Sequence, residues 1–282
     1  MKKWIIWLLT LVLTISAVIY QRITGPTYPF KKNITLNNQT FKISIPRTCE
    51  SDLDAEVTLN LPKEYSGTIS YRLYPSDDSY TTISMNRENK NLIAYLPKQP
   101  PAGKLEYYIR IYKDNALVYS TEQNPIHIRF KGRVPTLVLL FHILFMFTAM
   151  LFSTYAGFAA LFKLDSQKLF GILTLIFLII GGAIFGPIVQ KHAFGAYWTG
   201  IPYGYDLTDN KTLIALIFWI IAVIANLKKP RYFLTVIAAL VLIIIYSIPH
   251  SLFGSQLDYN TGEVTQGIIF FIMLKSKKWK SL

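Results

Sequence analysis

The chain has 282 residues and a formal net charge of +13; 52% of its residues are hydrophobic and only 16% are charged. Because an ordinary soluble domain contains about 25% charged residues, this composition indicates a membrane protein. Many of the Lys and Arg residues lie in short loops beside apolar stretches rather than on one stripe, which argues against a nucleic-acid-binding protein. The single cysteine, Cys49, excludes an internal disulfide and a multi-cysteine metal cluster.

Five apolar stretches predict membrane-spanning helices. In chain order they are residues 4–20, 137–162, 169–189, 213–227 and 233–253. Each is near the length of roughly 17 to 25 residues that a helix needs to cross a ~30 Å hydrocarbon core. We therefore predict a membrane α-helical bundle of four spans within residues 135–282, preceded by an N-terminal anchor helix, residues 1–20. A cleaved signal peptide is the alternative for the anchor, but no clear A-x-A cleavage site lies near Ala17.

Basic residues mark one side of the predicted spans. Those that share this side are Lys2, Lys3, Lys163, Lys168, Lys228, Lys229 and Arg231. Because short cytoplasmic loops are enriched in Lys and Arg, we predict a cytoplasmic N-terminus and place residues 21–134 in the periplasm of a bacterial inner membrane. The basic tail, residues 275–280, does not fit this rule, because alternation of the spans would place it outside. The apolar run before it, residues 267–274, covers only about 12 Å as a helix, so we interpret it as an interfacial segment.

The long outer segment, residues 21–134, has the pattern of β structure. Apolar and polar residues alternate in residues 41–45, 56–61, 68–74, 91–96, 105–112 and 126–130. Short alternating strands separated by turn residues are typical of a β-sandwich. We therefore predict an inserted all-β sandwich domain outside the membrane.

One run of this domain carries a resemblance. Within residues 96–112 a turn leads into alternating apolar residues, namely Pro100, Pro101, Ala102, Gly103, Leu105, Tyr107, Ile109 and Ile111. This run resembles the final hairpin of an immunoglobulin-like or fibronectin-type-III-like domain, which implies a fold and no particular activity. The domain has no G-x-S-x-G, P-loop or metal-type spacing, and His127 stands alone on a predicted strand. We therefore expect this domain to have a docking or shielding role.

Three histidines lie near the outer ends of the predicted spans. His142 is in span two, His192 follows span three, and His250 is near the end of span five. The helical rise places them within roughly 10 Å of depth of one another. Because imidazoles ligate haem iron and metals, we predict that they bind haem b or a transition metal, with glycines of spans two and three leaving space for a macrocycle. The alternatives are close helix packing at the glycines and histidines that bond loop carbonyls or reach water.

The outer loop, residues 190–212, is rich in aromatic and turn residues. Its aromatic side chains are Phe194, Tyr197, Trp198, Tyr203 and Tyr205. Such rings favour the membrane interface, and the many turn residues indicate a folded lid over the bundle. Asp209, Asn210 and Thr212 lie where span four begins, so we expect them to cap its free amides.

Carboxylates form a second candidate site on the outer side. Asp206 and Asp209 precede span four, whereas Asp258 and Glu263 follow span five. Carboxylate oxygens can hold Ca²⁺ or Mg²⁺, and together with His192 or His250 a transition metal. Helix capping and solvated turns are the alternative roles.

Two classes of function follow from these patterns. The first is a haem- or metal-binding redox subunit with its site at the periplasmic face of the bundle. The alternative is a non-enzymatic scaffold or assembly protein whose β-sandwich docks an envelope protein. A membrane enzyme ranks last because the sequence shows no nucleophile constellation. The expected partners are the lipid bilayer and an envelope protein, not nucleic acid.

Overall fold

The protein, described by a computed structural model over residues 3–249 and 254–265, combines α-helices with β-sheets. It forms two compact units. The β unit comprises Thr27–Arg133 and Gln256–Thr265, and the helical unit comprises the remaining described residues. The chain therefore returns to the β unit after its last described helix. The predicted interfacial segment and basic tail lie outside the described residues.

Six α-helices and one π-helical segment form the helical unit over the described residues. They are α1 Lys3–Thr24, α2 Thr136–Leu161, α3 Ser166–Leu178, the π-helical segment Ile179–Phe185, α4 Gly186–Phe194, α5 Leu207–Ala225 and α6 Tyr232–Ser247. Four helical stretches of the described chain are long and apolar enough to cross a membrane: Lys3–Thr24, Thr136–Leu161, Ser166–Phe194 and Leu207–Ala225. The first four apolar stretches of the sequence are therefore helical over lengths that suit a membrane.

The fifth apolar stretch is a shorter helix than its hydrophobicity predicts. α6 ends at Ser247, whereas the sequence predicts a span to residue 253. Ile248 is extended, with φ −79° and ψ 118°, because the ring of the following Pro249 disfavours helical backbone at the residue before it. His250 lies beyond this point, outside the described residues.

The third predicted span contains the π-helical segment. The backbone N–H of Gly186 donates to the carbonyl of Gly181, five residues earlier. A Cβ on Gly181 would lie 2.9 Å from Cβ of Phe145, and one on Gly182 would lie 2.8 Å from Cγ2 of Thr212. These two glycines therefore serve close helix packing, which was the alternative to space for a macrocycle.

Helix α1 belongs to the core of the helical unit. Ile6 and Thr10 are fully buried, and the ring of Trp7 lies 4.3 Å from that of Tyr155 on α2. The opposite side of α1 exposes large apolar side chains, among them Val12 and Ile15. One side of α1 thus contacts its neighbours, and the other has the composition of a lipid-facing surface.

A buried amide and hydroxyl network joins α3, α5 and α6. Gln167 donates to the Asn226 side-chain oxygen at 2.8 Å, and Thr235 donates to Gln167 at 2.7 Å. The backbone N–H of Arg231 also donates to the Asn226 side-chain oxygen, at 2.7 Å. Polar side chains of this kind join helices through hydrogen bonds where water is excluded.

The described strands lie in the β unit. They are β1 Phe30–Leu36, β2 Gln39–Ile45, β3 Thr48–Glu50, β4 Ala55–Asn60, β5 Tyr65–Leu73, β6 Thr81–Ser84, β7 Asn86–Glu88, β8 Asn91–Leu96, β9 Lys104–Lys113, β10 Ala116–Ser120, β11 Ile126–Lys131, β12 Gln256–Leu257 and β13 Val264–Thr265. The predicted alternating segments all fall within or across these strands. Their inward residues, such as Ile69, Tyr107 and Ile128, are fully buried.

The strands form one large sheet and smaller sheets around a common core. The large sheet has the order β3-β11-β9-β5-β6, with β10 paired to β9; a second sheet has the order β4-β8-β7. β3 runs parallel to β11, whereas β9 is antiparallel to β5 and to β11. Buried residues of both sheets and of the β1-β2 hairpin pack in one hydrophobic cluster. The alternate residues of β5 and β9 form the outer face of the large sheet.

Candidate functional site

The structure describes two of the three predicted cofactor ligands. His142 is half-buried on α2, with its Nδ1 2.9 Å from the carbonyl oxygen of Gly181. His192 is exposed on α4, and His250 lies outside the described residues. Within the part of the chain that the structure describes, no three His, Cys, Asp or Glu side chains are grouped to hold a metal ion. Cofactor binding by these histidines stays a prediction.

The predicted carboxylate ligands belong to different units. Asp206 and Asp209 are in the helical unit, and Asp258 and Glu263 are in the β unit. Asp258 accepts a hydrogen bond from the backbone N–H of Asn260 at 2.9 Å, and Glu263 is exposed. Asp258 thus closes the turn between β12 and β13, which is one of the alternative roles given above.

Asp206 caps α5. Its side chain accepts hydrogen bonds from the backbone N–H groups of Thr208, at 2.8 Å, and Asp209, at 3.2 Å. These are free amides of the first helical turn, as expected at an N-cap. The predicted caps Asp209, Asn210 and Thr212 were therefore wrong, because α5 begins at Leu207, earlier than the apolar stretch.

Asp209 holds the outer loop instead. One of its oxygens, Oδ2, accepts from the backbone N–H of Thr199 at 2.6 Å and from the Gln190 amide at 3.1 Å. Asn210 accepts from the backbone N–H of Ile201 at 2.8 Å. Asp209 is only 5% exposed. The loop is thus folded against the first turn of α5, and its predicted role as a lid over the bundle stays a prediction.

Lys211 joins the ends of α5 and α6. It is buried, and its ammonium donates to the carbonyl of Ile248 at 3.0 Å. A cation at the C-terminus of a helix satisfies a free carbonyl and interacts favourably with the helix dipole. Hydropathy alone does not reveal Lys211, because it lies just before the apolar stretch.

A second polar site, on the outer face of the large sheet, was also missed. Glu106 on β9 is 9% exposed. It accepts from Arg72 of β5 through Nε at 3.0 Å and Nη2 at 2.8 Å, and from the hydroxyl of Tyr80. Burial alone would raise the pKa of Glu106, but the hydrogen bonds from Tyr80 and Arg72 together lower it. Burial and the bond to Glu106 raise the pKa of Tyr80 to about 12.

Arginine and tyrosine side chains stack in series on this face. The Arg72 guanidinium lies 4.6 Å from the Tyr80 ring, Tyr80 lies 4.9 Å from Tyr108, and the Arg110 guanidinium lies 5.0 Å from Tyr108. Glu122 holds the far end through Arg110, at 2.6 Å. We call Arg72, Tyr80, Tyr108 and Arg110 the Arg–Tyr ladder. Ion pairs at both ends restrict its side chains.

The β12-β13 hairpin contacts the start of β9. The backbone N–H of Lys104 donates to the hydroxyl of Tyr259 at 3.0 Å, and the Lys104 ammonium donates to Gln256 at 2.9 Å. The backbone N–H of Leu257 donates to the carbonyl of Ala102 at 3.0 Å. Burial, with a smaller contribution from Arg129, lowers the pKa of Lys104 to about 8.

The lone histidine of the β unit lies beside Glu106. His127 Nδ1 is 3.9 Å from Glu106 Oε2, and its ring lies 4.3 Å from that of Tyr74. Burial lowers the pKa of His127 even though the Glu106 charge opposes this shift. His127 thus belongs to the same polar cluster as the Arg–Tyr ladder.

Comparison of the chain with protein-family models, with curated proteins and with solved structures gives no match. The candidate site is therefore defined by side-chain geometry. One local signal pointed to it: Glu106, Tyr108 and Arg110 alternate along β9 with Leu105, Tyr107, Ile109 and Ile111 and so share one face.

Proposed function

We propose that this chain is a polytopic protein of a bacterial inner membrane that uses a periplasmic, immunoglobulin-like β unit to dock an envelope protein. The four long apolar helices and the basic loops on one side support the membrane placement. The sheet orders β4-β8-β7 and β11-β9-β5 correspond to the B-E-D and G-F-C orders of immunoglobulin domains, which supports the proposed fold.

The observation that carries the docking role is the Arg–Tyr ladder. Tyrosine and arginine are enriched at the centres of protein interfaces, where they account for much of the binding energy. Glu106 and Glu122 hold the two arginines in place. Arg72, Tyr80 and Arg110 are partly exposed, whereas Tyr108 is buried. A partner therefore meets three side chains whose conformations are already restricted, so binding costs less conformational entropy.

The redox subunit is less well supported. His142 is bonded to the Gly181 carbonyl, and Gly181 and Gly182 lie in close helix contacts. Haem or metal binding nevertheless stays a prediction with a simple measurement: visible absorption and metal analysis of the purified protein. A Soret band lost in His142→Ala would support the redox subunit over the docking protein.

Site-specific photo-crosslinking in cells tests the docking role. A photoreactive residue at Ser84, exposed on β6 beside the ladder, should give a discrete adduct with an envelope protein. The matched position is Glu88, exposed on β7 of the second sheet, which should give none. Replacing Tyr80 by Ala should abolish the Ser84 adduct. Equal adducts at both positions, or no adduct at Ser84, would contradict the proposal.

A further inference from the structure

An uncharged aromatic loop joins α4 to α5. We call residues 195–205 the aromatic loop. From Ala193 to Tyr205 the chain contains no Lys, Arg, Asp or Glu. Its large side chains are exposed: Tyr203 is 83% exposed, and Ile201 is 52% exposed. Exposed patches of large apolar side chains mark membrane or interaction sites, so this surface indicates an apolar or interfacial environment.

The aromatic loop is held in one conformation. Asp209 and Asn210 accept backbone N–H groups from Thr199 and Ile201. The indole N–H of Trp198 donates to the carbonyl of Ile201 at 3.1 Å. A Cβ on Gly200 would lie 2.6 Å from Cβ of Asp209, so only glycine fits at that position. The exposed side chains are thus presented by a braced loop.

The two helical stretches that the loop joins also expose large apolar side chains. Ile184 of the π-helical segment and Ile214 and Ile217 of α5 are also exposed large apolar residues. They belong to helical stretches that are long and apolar enough to cross a membrane. At the start of the loop, Lys191 donates to the carbonyl of Gly195 and lies 5.4 Å from the Tyr197 ring. Aromatic rings beside a lysine are typical of the level of the lipid headgroups.

We propose that the aromatic loop inserts its tip, residues 201–203, into the headgroup region of the outer leaflet. The occupant of this surface is the lipid bilayer itself. On insertion, the side chains of Tyr203 and Ile201 are removed from water. The braced loop then fixes the depth in the bilayer of the outer ends of α4 and α5. The inference rests on the membrane topology of the proposed function but is independent of the docking role of the β unit.

Spin-label depth measurements on the full chain in lipid nanodiscs test the insertion. In a Cys49→Ser background, a label at Tyr203→Cys should collide readily with oxygen and poorly with a water-soluble nickel chelate. The expected depth is about 5–10 Å into the headgroup and acyl boundary. A label at Ile201→Cys gives a second reading of the tip, in case the first variant does not fold.

Two further spin-label positions distinguish a failure of the loop insertion from a failure of the membrane topology. Leu144→Cys reports on the exposed surface of α2, and Glu88→Cys reports on the β unit. If Leu144 lies in lipid and Tyr203 is as accessible to nickel as Glu88, the insertion is overturned while the membrane topology stands. If Leu144 itself is accessible to nickel, the proposed topology is overturned. Nickel accessibility at both tip positions well below that at Glu88 supports the insertion.

Discussion

Nδ1 of His142 lies 2.9 Å from the carbonyl oxygen of Gly181, and the same carbonyl accepts the backbone N–H of Gly186. This single oxygen therefore joins α2 to the π-helical segment. A π-helical turn places side chains differently from an α-helical one, and such turns often occur at functional sites. The close approach at Gly181 is what allows the imidazole of α2 to reach the backbone of the next span.

We expect Gly181→Ala to destabilise the helical unit. The new Cβ would lie 2.9 Å from Cβ of Phe145 and 3.0 Å from the backbone nitrogen of Met146. Overpacking of this kind costs about 1–3 kcal/mol, which thermal unfolding in detergent, followed by helical circular dichroism, would detect. Gly186→Ala is the control, because the atom nearest to its Cβ would be 3.6 Å away. Equal stability of the two variants would contradict the close packing.

The buried network at Asn226 should also contribute to stability. Asn226→Ala leaves the Gln167 amide without its acceptor and removes the acceptor for the backbone N–H of Arg231. Bonds of this kind between membrane helices contribute about 1–2 kcal/mol in model peptides. Ile224→Ala, on an exposed side of α5, is the matched control. The measurement is the midpoint of unfolding in detergent, and a midpoint no lower than that of the control would refute the role.

The Glu106 carboxylate should make the β unit sensitive to acid. Because its pKa is lowered in the folded protein, the stabilisation is present above the ordinary pKa and is lost as the pH falls through the folded value. Glu106→Gln should cost about 1.5–3 kcal/mol near pH 7 and should flatten the loss of stability in acid. Hydrogen exchange of the β9 peptides against pH measures both effects.

The control for this experiment is Glu88→Gln, on the exposed strand β7. It should leave the exchange of β9 and its pH dependence unchanged. If Glu106→Gln and Glu88→Gln behave alike, the bonds from Arg72 and Tyr80 contribute nothing to the stability of the sheet.

The Tyr259 hydroxyl should protect the backbone N–H of Lys104, at the start of β9, from hydrogen exchange. It accepts the backbone N–H of Lys104 and contacts the side-chain oxygen of Gln99 at 3.1 Å. Loss of one such bond costs about 1 kcal/mol, so Tyr259→Phe should speed exchange at Lys104 about five-fold. Tyr95→Phe, with an exposed ring, is the control. Unchanged exchange in Tyr259→Phe would show that the hairpin is held by other contacts.

The helices and strands could be predicted from the sequence, because hydrophobic periodicity depends on residues that are neighbours along the chain. The apolar helices and the alternating strands follow from it. The end of α6 was missed because hydrophobicity continues past Ser247, whereas the backbone restriction before Pro249 decides the helix terminus.

The sites depend on contacts between distant residues, which periodicity does not reveal. Arg72 and Glu106 meet only because β5 and β9 pair in one register. The sequence predicts Asp209 as a helix cap, but its partners, Thr199 and Gln190, reach it only through the fold of the loop. The histidines gave a plausible common depth, but depth along a helix says nothing about which way a ring points.

The β12-β13 hairpin has a consequence for biosynthesis. The β unit takes residues from both sides of α2 to α6, so the ribosome supplies its last strands only after all of these helices have been made. Lys104 and Ala102 must wait for their partners Tyr259 and Leu257 until then. A nascent chain halted before that point therefore leaves the β unit without β12 and β13.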